Sequence, residues 1–349
     1  MSTLQFTPRG ELSQYEWDSE NPRFQRIKLD PKTLRQLTTL SNKHGLIRVG
    51  LFTLSLLTLA LTTVFLSRYS ILLALPVLYA YYFLFGFWTA IAHELQHKIV
   101  FAKSWEWGSE KVFFFVQALL WNGPCYARVS HMLHHRYTMI RGTDPETDWP
   151  EVITSEWLNR VFQHLLLKIF MVGAIIDLLR MIGELARRGL GKKSSMMRDH
   201  CSDEKNKRIK HESVAILAFH SLVILFSIWV GSWWPIIFIT IATPVGEAFF
   251  FFWHFTEHIG RLYNVNDQRL CTRSVKTHPF IRLIYGGLDD HVDHHLFPGV
   301  PSRNLPELHK LIEKDLPTPG NMRDCWKEMF AIAKEKDKHP DNEYVPINL

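Results

Sequence analysis

Eighteen histidines stand in a chain of 349 residues, and ten of them fall into four short clusters. These are His93-Glu-Leu-Gln-His97, His131-Met-Leu-His134-His135, His254-Phe-Thr-Glu-His258 and His291-Val-Asp-His294-His295. On a helix, residues four apart lie one above the other, so His93 and His97 can point into one site, as can His254 and His258. In H-x-x-H-H the first and fourth residues share a face and the fifth swings about 100° away, so one short segment can serve two metals. Counting His93, His97, His131, His134, His135, His258, His291, His294 and His295 gives nine imidazoles, too many for one tetrahedral ion and enough for two ions with four or five nitrogen ligands each. His254 fits a direct or a water-mediated ligand equally well. The isolated histidines, His44, His164, His200, His211, His220, His278, His309 and His339, read as ordinary; His220, midway along an apolar helix, is expected to hydrogen-bond to a neighbour.

The first cluster also satisfies H-E-x-x-H, the pattern of zinc metalloproteases, with Glu94 as general base. A protease of that kind needs one further ligand and an open water position, which leaves both H-x-x-H-H clusters without a task. Redox-inert zinc has little use for nine imidazoles, whereas iron held by neutral nitrogen ligands with a vacant position can activate dioxygen.

The elements that must position these clusters are apolar and long. No charge occurs from Val49 to Ser67 or from Tyr69 to Ala92, and only Arg68 separates the runs. Each can cross a hydrocarbon core of ~30 Å, which takes about 20 helical residues. A second uncharged stretch, Ser213 to Gly246, is interrupted by Gly231-Ser-Trp-Trp-Pro235, a turn whose tryptophans suit the membrane interface. Two hairpins follow, with spans about 48–67, 70–92, 213–230 and 233–253. Buried core helices of a soluble bundle are the competing reading, but such helices carry a polar face. Between Arg160 and Glu184 the pattern is that of an amphipathic helix at the interface or in a soluble cap. Val112 to Trp121 is too short to span, and the tail from Ser302 reads as two short helices.

Basic residues gather before the first span (Lys28, Lys32, Arg35) and before the third (Arg187 through Lys210), so that side is expected to be cytoplasmic, with both termini. The histidine clusters follow the second and fourth spans or lie in polar segments assigned to the same side, so all four can converge under the bundle. The fold expected is an all-α polytopic membrane protein, with four transmembrane helices in two hairpins, interfacial helices and a cytosolic helical cap holding a di-metal site. Its divisions are a cytosolic segment 1–46, a membrane domain 47–315 and a cytosolic tail 316–349.

Composition narrows the field further. Four scattered cysteines without a C-x-x-C pair exclude a disulfide scaffold and cysteine-based zinc modules. An apolar fraction of 47% excludes disorder. The polar N-terminus has no basic region followed by an apolar stretch, so no cleavable signal is expected. The net charge of +6 is mild and gives no reason to expect a nucleic-acid partner.

The order H-x-x-x-H, H-x-x-H-H, H-x-x-H-H, with a membrane hairpin between the last two, resembles the membrane fatty acid desaturase and hydroxylase superfamily. The stretch from Gly286 through His291, His294 and His295 to Pro306, GGLDDHVDHHLFPGVPSRNLP, is similar to the third box of acyl-lipid desaturases. His131 to Asp148, HMLHHRYTMIRGTDPETD, resembles the second box, and Trp253 to His258 the segment in which relatives supply one more histidine. His291 stands where some members carry glutamine, which makes that branch a poorer fit.

The resemblance covers roughly residues 45–315. It implies a di-iron centre, dioxygen as co-substrate and removal of hydrogen from an unactivated C–H bond of a lipid, most simply a fatty-acyl desaturase. A hydroxylase of a fatty-acyl, alkyl or other amphiphilic substrate uses the same ligands, and an intramembrane zinc protease built on His93, Glu94 and His97 is the more distant alternative. No fused electron donor is visible, so an external ferredoxin, cytochrome b5-like protein or rubredoxin is expected. Glu94, Glu257, Asp290 and Asp293 adjoin the histidines and can accept imidazole N–H bonds, or are solvated cap residues. Glu247, costly in lipid, lines the site or pairs with a cation.

Overall fold

The computed structural model describes residues 4–346. It is mainly helical and its described residues divide into two compact units, one of residues 40–129 and 164–251, the other of residues 4–39, 130–163 and 252–346.

The first of these units holds most of the apolar sequence. Ser41 accepts the backbone N–H of His44 and starts the helix Asn42–Ser67; Ser70 does the same for Leu72 and starts Ile71–Gly86, which continues after a local break at Phe87 as Trp88–Gln96. The third long helix, Asp203–Trp229, is capped by Ser202 and opens on Asp203 and Glu204, acidic residues that favour a helix N-terminus. Among the described residues, four helical segments are long and apolar enough to cross a membrane. The most apolar window of the first is only 17% buried. Leu51, Leu54 and Leu61 project outward from it. A core helix of a soluble bundle would bury such a face.

The helices run further into polar sequence than the apolar runs do, because capping rather than hydropathy sets where they begin. The fourth span starts as a π-helical turn, Ile236–Thr240, and continues as Ala242–His258. A π-turn misaligns the usual carbonyl partners. Here the Tyr82 hydroxyl donates to the Ile237 carbonyl (3.3 Å), the Tyr81 hydroxyl to that of Phe238 (2.6 Å) and the Trp121 indole N–H to that of Thr240 (2.9 Å). The second and fourth spans touch backbone to backbone, since a Cβ on Gly86 would lie 2.1 Å from the Gly246 carbonyl oxygen.

The amphipathic stretch from 160 to 184 is not one helix. It breaks into Ser155–Ile169 and Val172–Gly189 at Met171, whose φ of 66° is left-handed. Gly173 permits the tight return, because a Cβ there would sit 2.9 Å from the Lys168 backbone nitrogen. Val172, Ile175, Ile176 and Leu179 stay exposed along the second piece. Lys168 is buried and placed between Asp177 (2.8 Å) and Glu247 of the fourth span (3.3 Å), so the cation expected for Glu247 is Lys168.

The other unit is assembled from three stretches of chain. Strand Phe6–Pro8 pairs antiparallel with Asn342–Tyr344, and Val275–Lys276 runs parallel to Gly320–Asn321, two short ladders within the mainly helical fold. One core cluster joins Leu12, Met139, Leu262 and Leu270. Another packs Val292 against Leu37, Val300, Leu305 and Leu308. The tail contributes two helices, Leu305–Ile312 and Met322–Lys336.

Candidate metal centre

His131, His134 and His135 sit near the end of the helix Pro124–Arg136, and His291, His294 and His295 on the six-residue helix His291–Leu296. Val292 anchors that short helix in the apolar cluster. His258 ends the fourth span.

These seven imidazoles form two groups, each with nitrogens within 4.8 Å of one another. His134, His258, His291 and His295 make one, and His131, His135 and His294 belong to the other. The adjacent histidines of each box therefore part company: His134 and His295 face one group, His135 and His294 the other. Within the first, Nε2 of His291 lies 3.0 Å from Nε2 of both His258 and His295. Within the second, Nε2 of His135 lies 3.0 Å from that of His131 and 3.1 Å from that of His294.

The outer nitrogens explain why these lone pairs meet. His131 Nδ1–H donates to Glu146 Oε2 (3.0 Å) and His134 Nδ1–H to Asp144 Oδ2 (2.9 Å). His258 Nδ1–H donates to the Cys271 carbonyl, also at 3.0 Å. The Thr138 hydroxyl gives its proton to the His134 carbonyl (2.7 Å), so it can only accept from His295 Nδ1–H (3.2 Å). Carbonyls and carboxylates accept, so in these four residues the neutral ring keeps its proton on Nδ1 and turns an Nε2 lone pair inward. An acceptor behind a ring is the usual support of a metal-binding histidine.

Burial pushes His291, His294 and His295 well below the ordinary imidazole value and keeps them in the neutral, ligating form. His134 differs. Burial alone would lower it, but the Asp144 carboxylate lifts it to about 9. In turn burial pulls Asp144 up while His134 holds it down, to about 2.

The family model for fatty acid desaturases matches residues 69–325, about three quarters of the chain. The chain belongs to the fatty acid desaturase family. No curated protein matches it. All four histidine clusters of this desaturase-family chain fall inside the matched region, as do Asp144 and Glu146.

The remaining candidate residues take distinct places. His93 and His97 belong to the unit of 40–129 and 164–251, where their rings lie edge to face 5.1 Å apart. Glu94 is buried and ion-paired with Arg48 of the first span, an arrangement that occupies the carboxylate a zinc protease would use as base. His254 is partly exposed, stands outside both nitrogen groups and donates to Glu257 Oε2 at 2.6 Å. Glu257 also accepts from the Tyr285 hydroxyl and lies 3.4 Å from His291 Nε2. Asp290 is held by Arg282, and Asp293 by His309 Nδ1 at 3.1 Å.

His220 bonds to the Ala118 carbonyl (3.0 Å) and stacks on Trp121 at 3.5 Å, as an ordinary buried histidine does. The residues that sequence reasoning missed are Asp144, Glu146, Thr138 and Gln268, whose amide donates to the His135 carbonyl at 3.2 Å. Two acids closely following a histidine box, in TDPETD, were the available signal for the first pair.

Proposed function

We propose that this chain is a membrane-bound, dioxygen-dependent di-iron oxidoreductase that removes hydrogen from an unactivated C–H bond of a lipid, as a fatty-acyl desaturase. The observation that carries the reading is the convergence of buried imidazole Nε2 atoms in two groups, in a chain of the desaturase family. An all-nitrogen neutral donor set suits iron that must change oxidation state and keep a position open. Two irons, reduced from outside and open to dioxygen, supply the oxidising power.

What the chain itself does is hold and orient. His134, His258, His291 and His295 bind one ion. His131, His135 and His294 bind the other, and the box order assigns His93 and His97 to complete the nine ligands. Asp144, Glu146 and the Cys271 carbonyl fix three of the rings, and Thr138 couples the second box to the third. His254 and Glu257 flank the centre rather than ligate it. The apolar spans supply access to a substrate dissolved in the bilayer, within a membrane domain of about 47–315. Both termini and the metal face the cytoplasm, in line with the basic segments beside the first and third spans. Electrons come from a separate carrier of the ferredoxin, cytochrome b5 or rubredoxin kind.

Metal analysis of detergent-purified protein, wild type against His135→Ala and His295→Ala, is the first test. Two irons per chain, reduced in both variants, is the expected result. One zinc per chain, indifferent to both substitutions, would sink the proposal. Fatty acids from cells expressing the wild type and the His295→Ala variant, analysed by mass spectrometry, then distinguish the reactions. A loss of two hydrogens marks desaturation, and a gain of one oxygen marks hydroxylation.

A further inference from the structure

The turn that follows the fourth span brings two arginines to one carboxylate. Arg261 and Arg273 are only 6% and 4% exposed and belong, with Glu328 of the helix Met322–Lys336, to the unit of the second and third histidine boxes. Glu328 Oε1 accepts from Arg273 Nε (3.1 Å) and Nη2 (2.6 Å) and lies 3.1 Å from Arg261 Nη2. Among the described residues no other carboxylate comes within ion-pair distance of either guanidinium. Arg273 turns its Nη1 to the carbonyls of Thr256 and, at 3.2 Å, Ile259, at the end of the helix that carries His258.

Arg261 finds less. Its Nε and Nη1 are shielded from solvent and have no hydrogen-bond partner among the described residues, and the Tyr344 ring centre lies 5.6 Å from the guanidinium. Burial, and after it the charge of Arg273, pull Arg261 down to about 10, which leaves it protonated at neutral pH. Two positive charges therefore share one negative charge in the interior, where charges are ordinarily balanced. Water can accept from the N–H groups of Arg261 but leaves the surplus charge uncompensated. An anion does both.

Charge and space narrow the choice. The surplus is a single charge, which a monovalent anion cancels. The surroundings are close-packed and partly apolar: a Cβ on Gly260 would lie 3.1 Å from Ile332 Cδ1 and 3.9 Å from Arg273 Nη2, and Cys325 and Ile332 are both buried. A phosphate ester or a lipid headgroup carries bulk beyond its charged atoms, whereas a halide does not.

We propose that Arg261, with Arg273 beside it, forms a buried binding site for a halide, chloride under ordinary conditions, which braces the end of the helix carrying His258. The site does not depend on which metal the histidines hold or which reaction they perform.

The test uses full-length, detergent-purified protein with its metal complement, passed through a gel-filtration column equilibrated with bromide in gluconate at constant ionic strength. X-ray fluorescence then counts the bromide and the metal that travel with the protein. About one bromide per chain is expected in wild type, matching the single surplus charge, and its loss in Arg261→Gln with the metal count unchanged. Bromide bound to the metals themselves would survive that substitution. Glu328→Gln keeps the shape of the competing carboxylate and removes its charge, so it should hold bromide severalfold more tightly, the opposite of what loss of a merely structural contact gives. It carries the test if Arg261→Gln folds poorly. The unfolding temperature should also rise with bromide in wild type and not in Arg261→Gln. No bromide on wild type, which would mark hydration alone, bromide that survives Arg261→Gln, or a Glu328→Gln variant that binds no more tightly would each overturn the assignment.

Discussion

His134 and Asp144 meet at 2.9 Å inside the protein, ten residues apart in the chain, one a candidate ligand and the other the acceptor that orients it. Glu146 does the same for His131. Replacing Asp144 by Asn keeps the shape but removes the charge that raises the basicity of the ring. Asp144→Asn should weaken metal binding by about 10- to 100-fold. Competition against a chelator of known affinity measures it, and His220→Gln, remote from the boxes, should leave the metal content as in wild type.

The same pair sets a pH dependence. In the metal-free protein His134 is raised from 6.5 to about 9, so at neutral pH it carries a proton that the metal must displace. Metal affinity should rise by about tenfold per pH unit as pH increases toward 9, from this one proton.

The stability of the metal-free fold runs the other way. The raised His134 contributes fully below pH 6.5 and loses its contribution as pH climbs to about 9; the lowered Asp144 contributes fully above 3.8 and loses its contribution as pH falls to about 2. The pair therefore stabilises most between about pH 4 and 6.5, and Asp144→Asn should lower thermal stability inside that window and flatten the profile on either side of it.

Lys168 is the buried cation of a small ion cluster with Asp177 and Glu247. Lys168→Met strands the Glu247 carboxylate, while Asp177 keeps His164 and Arg180, and a cost of about 3–5 kcal/mol is expected. Adding Glu247→Gln should recover much of it. Thermal unfolding in detergent reads both steps.

Gly86 lets the second span lie against the fourth. In Gly86→Ala the added carbon would meet the Gly246 carbonyl, and separating the two backbones should cost about 1–3 kcal/mol or more. A lower unfolding temperature, with the metal ratio of the folded fraction unchanged, is the expected outcome.

Much of this was legible in the sequence because the demands were local. A metal asks for a residue type at helical spacing, and a bilayer asks for about twenty apolar residues in a row. Both leave their mark within one segment, so the four spans and the four histidine clusters could be read directly. The acceptors could not. Whether Asp144 or Asp293 backs a ligand depends on how a loop returns, and the two look equally suitable on paper. In the structure the first is bound to His134 and the second to His309. The break at Met171 was hidden for a related reason: its apolar neighbours keep a helical rhythm on both sides of the turn. The tyrosines that serve the π-turn reach across more than 150 positions of chain, a distance no periodicity reports.

The pairing of residues 6–8 with 342–344 has a consequence in time. Three separated stretches make up the unit that carries the second and third histidine boxes, and that ladder ties the first stretch to the last. During synthesis the second box emerges long before residue 344, while the strand that pairs with residues 6–8 is still inside the ribosome. The unit that gathers these histidines is therefore expected to be complete only after translation has passed the final strand.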